Sequence, residues 1–120
     1  MCTCIQRPEV MDISNHYADI TATLKPLAAA NWLLLMQCPD CLQLYSVDEW
    51  DKYLPCYAVK IADQHRWQQF DRTSLIKNYI IQQHNGLGSK PCIWAGCDIR
   101  QVKGSMYCIH HLYDNMAENK

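Results

Sequence analysis

The sequence predicts an α+β fold: a small, mostly antiparallel sheet with one amphipathic helix and a C-terminal treble-clef-like zinc finger. Three observations carry this prediction: short apolar or alternating runs, one stretch with helical periodicity, and cysteines at metal-ligand spacings. Residues 1–120, of which 49% are hydrophobic and 19% charged, suit a single compact domain. We expect residues 1–85 to hold the sheet, the helix and a zinc knuckle, and residues 86–120 to form a zinc-finger subdomain.

Short strands are predicted in the first half of the chain. Residues 32–37 are apolar and too short for an independent helix, residues 42–47 alternate, and residues 57–61 form a further strand-like run. The first two runs flank a C-P-x-C motif, which therefore predicts a hairpin capped by that motif. Upstream, residues 19–24 alternate as a strand should, with a helix as the alternative. Residues 26–30 are interpreted as a loop with some helical character.

The clearest helix covers residues 71–84. Asp71 can cap its start, Gly86 can end it, and residues 86–90 then lead into the zinc finger. Apolar side chains recur on one face of this stretch at helical spacing. They are Leu75, Ile76, Tyr79 and Ile80.

Four metal-ligand residues lie near the C-terminus at spacings that one tetrahedral ion can use. Cys92 and Cys97 form a C-x4-C pair, and Cys108 and His111 form a C-x2-H pair ten residues later. Zinc takes four such ligands at about 2.0 to 2.3 Å. The spacing predicts a zinc knuckle, a turn at Lys103–Gly104, and a last pair on the first turn of a helix. Two alternatives stay open: His110 in place of His111 as the fourth ligand, and buried thiols without a metal.

A second set of four cysteines is split between the N-terminus and the middle of the chain. Cys2 and Cys4 form a C-x-C pair at a chain end that frays unless it is anchored. Cys38 and Cys41 flank Pro39, which stiffens the turn and directs both sulfurs to one side. We therefore expect a second zinc ion here, with a loose end and a metal-free C-x-x-C motif as the alternative. A thioredoxin-type redox pair is disfavoured because a strand-like run, not a helix, follows the motif.

The motifs do not predict an enzyme. Catalytic zinc keeps one coordination position open for water, whereas both cysteine sets offer four protein ligands. Neither H-E-x-x-H nor the deaminase pattern H-x-E with P-C-x-x-C occurs in the sequence. Cys56 is left outside both sets, and we expect a structural role for it because no local nucleophile signature surrounds it.

Composition and charge narrow the location and the partners. The sequence has no run of 18 apolar residues and no apolar core in its N-terminal stretch, so we expect a cytoplasmic protein without membrane association. In a reducing compartment, cysteines favour metal over disulfides. The net charge is -1, and residues 1–71 hold nine acids and five bases. Two zinc–thiolate sites would bring the total to about -4, which does not suit a general binder of polyanions.

A short segment in the middle of the chain combines carboxylates with large aromatic rings. Such a composition is typical of surfaces that bind a basic protein partner, because aromatic side chains bury much area at a small entropic cost. The alternative is that Trp50 and Tyr53 pack into the core. The candidate partner-binding residues are Asp48, Glu49, Trp50, Asp51 and Tyr53.

Three blocks of the sequence resemble a group of small, largely uncharacterised bacterial cysteine-rich zinc-binding proteins. The blocks are CPDCLQLYSVDEWDKY, AVKI, and the ending PCIWAGC followed by VKGSMYCIHHLYD. Proteins of this kind are similar to immunity proteins encoded beside secreted toxins, so the resemblance implies a toxin domain as the partner. The acidic segment and the charge of residues 1–71 predict that this partner is basic. It also implies a shared structural or binding block at Trp50, Asp51 and Tyr53. The metal-binding residues that it implies are Cys38, Cys41, Cys92, Cys97, Cys108 and His111.

A second function stays open beside that of an immunity protein. Lys90, Arg100 and Lys103 give the predicted zinc finger a thin basic patch. A zinc finger that contacts phosphates through such residues would make the protein a nucleic-acid-binding regulator.

Overall fold

The computed structural model describes the backbone of residues 2–118 and the side chains of residues 2–115. The chain divides into two compact units, Met1–Arg72 and Thr73–Lys120. The fold class is α+β, as the sequence predicts: within the described residues there are a five-stranded sheet, a two-stranded sheet and three α-helices. None of the helices in this part of the chain has the length and apolar character that crossing a membrane requires.

The elements of the first unit are three short helical segments and the five strands of the larger sheet. In chain order they are a 3₁₀ turn (Cys4–Gln6), β1 (Val10–Asp12), α1 (Tyr17–Thr21), β2 (Lys25–Ala30), β3 (Leu33–Gln37), β4 (Leu44–Asp48), β5 (Tyr57–Ile61) and a second 3₁₀ turn (Trp67–Gln69). Then follow α2 (Arg72–Gln83), β6 (Leu87–Pro91), β7 (Arg100–Val102) and α3 (Ile109–Glu118).

The larger sheet is antiparallel throughout and has the strand order β1-β5-β4-β3-β2. Strands β3 and β4 form the predicted hairpin, in which Gln37 pairs with Leu44 and Leu33 pairs with Asp48. The C-P-x-C turn therefore lies at one end of the hairpin. The β2–β3 turn and the residues that follow Asp48 lie at the other end.

The core of the first unit is built around β4, because this strand is central in the sheet and covered on both faces. Tyr45 and Val47 are fully buried in one cluster, and Leu44 packs with Trp67 in another. The first cluster also contains the thiol-bearing residues Cys4 and Cys38. The N-terminal cysteines are thus part of the packed core.

In two places the secondary structure of the first unit differs from the leading prediction. Residues 25–30 form the edge strand β2 and not a loop, because pairing with β3 overrides the helix propensity of alanine. Pro26 is accommodated at this edge by an irregularity in the register between Pro26 and Ala28. Residues 17–21 form the short helix α1, which was the alternative to a strand at this point.

The predicted helix spans Arg72–Gln83, and from Thr73 onward it belongs to the second unit. Gly86 ends it with a φ of 103°, and its N–H donates to the Ile81 carbonyl at 2.9 Å. Strands β6 and β7 pair, and Gly104 at a φ of 83° forms the predicted turn after β7. The unit thus joins this helix to the zinc-finger segment, while the prediction of a single domain for the whole chain stays a prediction.

Candidate metal centres

The C-terminal cluster, consisting of Cys92, Cys97, Cys108 and His111, brings its four ligand atoms within 4.8 Å of one another. His111 Nδ1 lies 3.3 Å from Cys92 Sγ and 3.2 Å from Cys108 Sγ. The Sγ atoms of Cys97 and Cys108 are 3.9 Å apart. A tetrahedral zinc ion with ordinary bond lengths requires about 3.8 Å between two sulfurs and about 3.5 Å between sulfur and nitrogen. The four residues therefore fit a zinc ion.

Local backbone bonds explain how this segment assembles the C-terminal cluster. The N–H of Cys92 donates to the Ile99 carbonyl at 2.8 Å, and the N–H of Cys97 donates to the Trp94 carbonyl at 3.0 Å, which closes the knuckle. Cys108 directly precedes α3, and its Sγ accepts a bond from the His111 N–H at 3.5 Å. The last ligand pair thus lies at the start of a helix, as the C-x2-H spacing predicts.

The structure decides between the two neighbouring histidines. His111 Nδ1 faces the sulfurs, and its ring stacks on Trp94 with the centroids 4.7 Å apart and the planes 11° apart. His110 is exposed instead, with its Nδ1 lying 3.0 Å from the Nζ of Lys77. His111 is therefore the ligand candidate, and Trp94 fixes the orientation of its ring.

The N-terminal cluster, consisting of Cys2, Cys4, Cys38 and Cys41, also places its four sulfurs within 4.8 Å of one another. Cys38 and Cys41 lie in the β3–β4 turn, where the Cys38 N–H donates to the Gln43 carbonyl at 2.9 Å. The chain end is anchored because Lys60 Nζ donates to the carbonyls of Cys4 and Arg7, at 2.6 Å each. The predicted partnership between C-x-C and C-P-x-C is thus present in the structure.

Each cluster contains one thiol that ionises easily. A hydrogen bond from the Cys41 backbone N–H outweighs burial and lowers the pKa of Cys38 from 9.0 to about 7. Burial raises the pKa of Cys92, but hydrogen bonds from the backbone of Cys108 and Trp94 and from His111 lower it to about 6. Since metals bind thiolates, such a thiol is a ready first ligand.

The pKa of Cys41, in the same N-terminal cluster, is shifted in the opposite direction. The Gln43 backbone N–H lowers the pKa of Cys41, but burial and the neighbouring thiols raise it to about 12. Next to this cluster, burial and the neighbouring Cys4 raise the pKa of Tyr45, and Arg7 acts in the opposite direction. Tyr45 and Arg7 therefore lie close enough to the cluster to affect its electrostatics.

The predicted partner-binding segment divides into two roles. Asp48 is only 13% exposed, and its carboxylate pairs with Arg72 and accepts the N–H of Tyr57 at 2.8 Å. Asp51 Oδ1 accepts the N–H of Tyr53 at 2.8 Å and thereby shapes the loop. These two carboxylates hold the backbone.

The aromatic residues of the segment face outward. The side chains of Trp50 and Tyr53 are 59% and 81% exposed, so the alternative that they pack into the core is wrong. Trp50 contacts Tyr17 edge to face at a centroid distance of 5.3 Å, which fixes its ring beside α1. A cleft of about 430 Å³, lined by residues 14–19 and Trp50, opens at this point.

Trp32 is a surface residue that the sequence analysis placed in a strand. It lies in the β2–β3 turn at a φ of 66°, directly after Asn31 at a φ of 53°, and its side chain is 74% exposed. The Glu49 N–H donates to the Trp32 carbonyl at 3.0 Å, so this turn adjoins the loop that carries Trp50. A two-residue turn that starts with asparagine between two apolar runs is the signal that could have found it.

Cys56 stays outside both clusters. It is buried, and its Sγ lies 3.7 to 3.9 Å from the carbonyl oxygens of Glu49, Asp51 and Leu54. These contacts hold the segment between β4 and β5, in agreement with the structural role expected for this cysteine.

Together, the fold and the clusters define a small α+β protein with two potential metal centres, one of four cysteines and one of three cysteines and a histidine. Both ligand sets are compatible with zinc. No protein-family model, no curated protein and no solved structure matches this chain.

Proposed function

We propose that this protein is a non-enzymatic, zinc-stabilised protein-interaction module, and that it is an immunity protein that binds and neutralises a cognate toxin. The observation that carries the proposal is an exposed surface at one end of the larger sheet. We call it the aromatic–acidic surface, and it consists of the exposed Trp32, Trp50 and Tyr53 and the half-buried Glu49 and Asp51.

The composition of this surface supports protein binding. Exposed tryptophan and tyrosine are the residue types that most often dominate binding energy at protein interfaces. The ring of Trp50 is held by Tyr17, and the loop is held by Asp51, so little conformational freedom would be lost on binding. The surface is thus already arranged for a partner.

The metal centres support a structural role for zinc. Each cluster offers four protein ligands, which is the ligand count of structural zinc sites. Within the first unit, Cys38 and Trp32 are separated by the length of β3, or about 20 Å at the rise of an extended strand. The N-terminal centre therefore stabilises the end of the hairpin opposite the aromatic–acidic surface.

The charge of the first 71 residues supports a basic partner. They hold nine acids and five bases, and a zinc ion on four thiolates would add two negative charges. Opposite charge on a toxin would speed association and orient the encounter. The resemblance of the C-P-x-C and V-D-x-W-D-K-Y blocks to those of immunity-like proteins points to the same partner class.

The test is calorimetry between the full-length protein and the product of the adjacent gene. We expect a stoichiometric complex. Trp50→Ala and Tyr53→Ala should each lower its affinity by more than tenfold, or more than about 1.4 kcal/mol, as expected for hot-spot residues. Leu42→Ala is the matched control, because Leu42 is an exposed apolar residue in the C-P-x-C turn. Absence of a complex, or equal losses in all three variants, would count against the proposal.

Nucleic-acid binding is tested by a separate calorimetric titration of the same protein with DNA or RNA at low and at high salt. Arg100 Nε donates to the Gly88 carbonyl at 2.8 Å, so part of its guanidinium already has a partner. If DNA or RNA bound and the affinity fell steeply with salt, the regulator alternative would replace the immunity proposal.

A further inference from the structure

The N-terminal cluster opens onto a cleft of about 320 Å³. Three of its four cysteines line this cleft, together with Arg7 and Asp40, and the fourth, Cys41, is exposed. An ion held by these sulfurs would be within reach of water and of competing ligands from the cleft. The cluster is thus open on one side.

The C-terminal cluster is more closed. Each cluster has two buried cysteines, but none of the four C-terminal ligands is exposed, and the ring of Trp94 stacks on His111. The two clusters therefore differ in exposure as well as in ligand type. Ligand exchange at a zinc site needs an incoming ligand to approach the ion, so the more open cluster should exchange faster.

Two buried hydrogen-bond donors beside the N-terminal cluster make no hydrogen bond of ordinary length and angle with the described residues, although Cys4 and Arg7 lie next to the Tyr45 hydroxyl. The hydroxyl of Tyr45 lies in a side chain that is 0% exposed, and the Nη1 of Arg7 is buried as well. Tyr45 packs in the same buried cluster as Cys4 and Cys38. Buried donors are nearly always paired in folded proteins, so these two require an explanation.

A metal ion bound by the four cysteines would give the Tyr45 hydroxyl and the Arg7 guanidinium charged acceptors. A protonated thiol is a weak acceptor, whereas a metal-bound thiolate is a charged one. Four thiolates around a divalent ion carry two net negative charges, and a buried hydroxyl and a guanidinium are the groups that stabilise such charge. The donors that are unpaired beside free thiols would thus be satisfied beside a metal–thiolate centre.

We propose that the N-terminal cluster is an exchangeable site for a thiophilic divalent ion, Zn²⁺ or Cd²⁺, with Tyr45 and Arg7 as outer-shell positioning residues. The Tyr45 hydroxyl donates to the Cys4 thiolate, and Arg7 offsets the negative charge of the centre. The ion enters and leaves through the cleft, whereas the ion of the C-terminal cluster is retained. This inference does not depend on the partner of the aromatic–acidic surface.

The first test follows the release of zinc from the fully loaded, full-length protein into a colorimetric chelator. We expect two phases, with one ion per chain leaving in the faster phase. Cys41→Ser should remove the faster phase, and Cys97→Ser should remove the slower one. A single phase, or loss of the slower phase in Cys41→Ser, would overturn the proposal.

The second test measures the affinity of both sites in the same molecule, so that the C-terminal site serves as the internal control. Tyr45→Phe should weaken binding at the N-terminal site by about 10- to 100-fold, as is typical for lost outer-shell partners. In the Co²⁺-loaded protein it should also shift the sulfur-to-metal charge-transfer band of that site. Tyr17→Phe, whose hydroxyl binds the Asp48 carbonyl instead, should leave that band unchanged.

Arg7→Gln keeps the second test informative if Tyr45→Phe does not fold, because the Arg7 side chain is only half-buried. It should lower the affinity of the N-terminal site and leave that of the C-terminal site unchanged. Equal weakening of both sites would show a general loss of stability, and unchanged affinity at the N-terminal site would show that the donors do not act on the ion. Either result would overturn the role of Arg7 and Tyr45.

Discussion

Arg72 and Asp48 form an ion pair of 2.6 Å, although 24 residues separate them and their side chains are only 11% and 13% exposed. Asp48 also accepts the Tyr57 N–H, and Arg72 Nη2 donates to the Tyr57 carbonyl at 3.1 Å. The two side chains therefore hold both polar groups of the first residue of β5. This arrangement assigns Asp48 to the stability of the sheet.

Removal of the Asp48 carboxylate should destabilise the protein. Asp48→Ala leaves the Arg72 guanidinium buried without its counter-charge, which typically costs about 3 to 5 kcal/mol. Urea denaturation of the zinc-loaded protein measures this change in the free energy of unfolding. Asp19→Ala is the control, since Asp19 is exposed on α1 and its loss should cost less than about 0.5 kcal/mol. A similar small cost for Asp48→Ala would contradict the role of the ion pair.

Zinc content should distinguish the two histidines of the C-terminal cluster. The wild-type protein should bind two zinc ions, one in each cluster. His111→Ala should lose the C-terminal ion, or bind it far more weakly, because the Nδ1 that faces Cys92 and Cys108 is gone. His110→Ala should keep both ions, and elemental analysis after gel filtration provides the measurement. Loss of zinc in His110→Ala alone would reverse the ligand assignment.

Cys56→Ser should also keep both zinc ions. Cys56 lies outside both clusters, and its sulfur contacts the backbone carbonyls of Glu49, Asp51 and Leu54. The same elemental analysis tests this, with Cys38→Ser as the matched cysteine variant that should lose the N-terminal ion. If Cys56→Ser lost an ion, Cys56 would belong to a metal centre after all.

The two zinc ions should leave at different pH values. Metal affinity falls as protons compete for the thiolates. In the metal-free folded protein each cluster has one thiol of lowered pKa, Cys38 at about 7 and Cys92 at about 6, and one thiol of raised pKa, Cys41 and Cys97. The clusters differ in that the N-terminal one has four thiols to deprotonate and the C-terminal one has three. The N-terminal cluster must therefore give up more protons to bind its ion and should release it first as the pH falls.

Zinc release during acid titration, followed with an indicator dye in Cys41→Ser and Cys97→Ser, measures the two sites one at a time. The stability of the metal-free protein should change with pH in the same direction as zinc binding. A thiol whose pKa is lower in the folded state than in the unfolded state stabilises the folded state at high pH. For Cys92 this contribution is complete above the ordinary value of 9.0 and disappears as the pH falls towards about 6. Release of the C-terminal ion at the higher pH would contradict this order.

Trp32→Gly should stabilise the fold. Trp32 has a φ of 66°, and this left-handed conformation costs a bulky residue about 1 to 2 kcal/mol that glycine does not pay. Asn31→Gly is the matched control in the same turn and should gain less, because asparagine tolerates this conformation. Thermal denaturation compares the two. If Trp32→Gly were less stable than the wild type, the Trp32 side chain would contribute to packing despite its exposure.

The sequence predicts both metal clusters well because coordination chemistry restricts which residues occur at short spacings. Cys92 to His111 lie within one local motif, and the C-x-C pair of Cys2 and Cys4 supplies the two thiols that the C-P-x-C pair lacks for a four-ligand site. Strand β2 could not be predicted in the same way. Its alanines favour a helix, and only pairing with β3 makes it a strand.

The partner-binding segment shows a second limit of sequence reasoning. Asp48 and Glu49 are adjacent and chemically alike, yet only Asp48 lies opposite Arg72, which is a consequence of the tertiary fold. Likewise, spacing alone cannot say whether Trp50 points inward or outward. The immunity function and the basic partner stay predictions that the binding experiments will test.

Because the N-terminal cluster lies at the β3–β4 turn, a metal bound there would also affect the register in which these two strands pair. A slip of one residue between two strands would move every side chain of one strand to the opposite face. An ion that ties Cys38 and Cys41 to Cys2 and Cys4 opposes such a slip at the turn. A bound ion would thereby favour the register in which Leu33 pairs with Asp48, and with it the position of Asp48 opposite Arg72 at the other end of the hairpin.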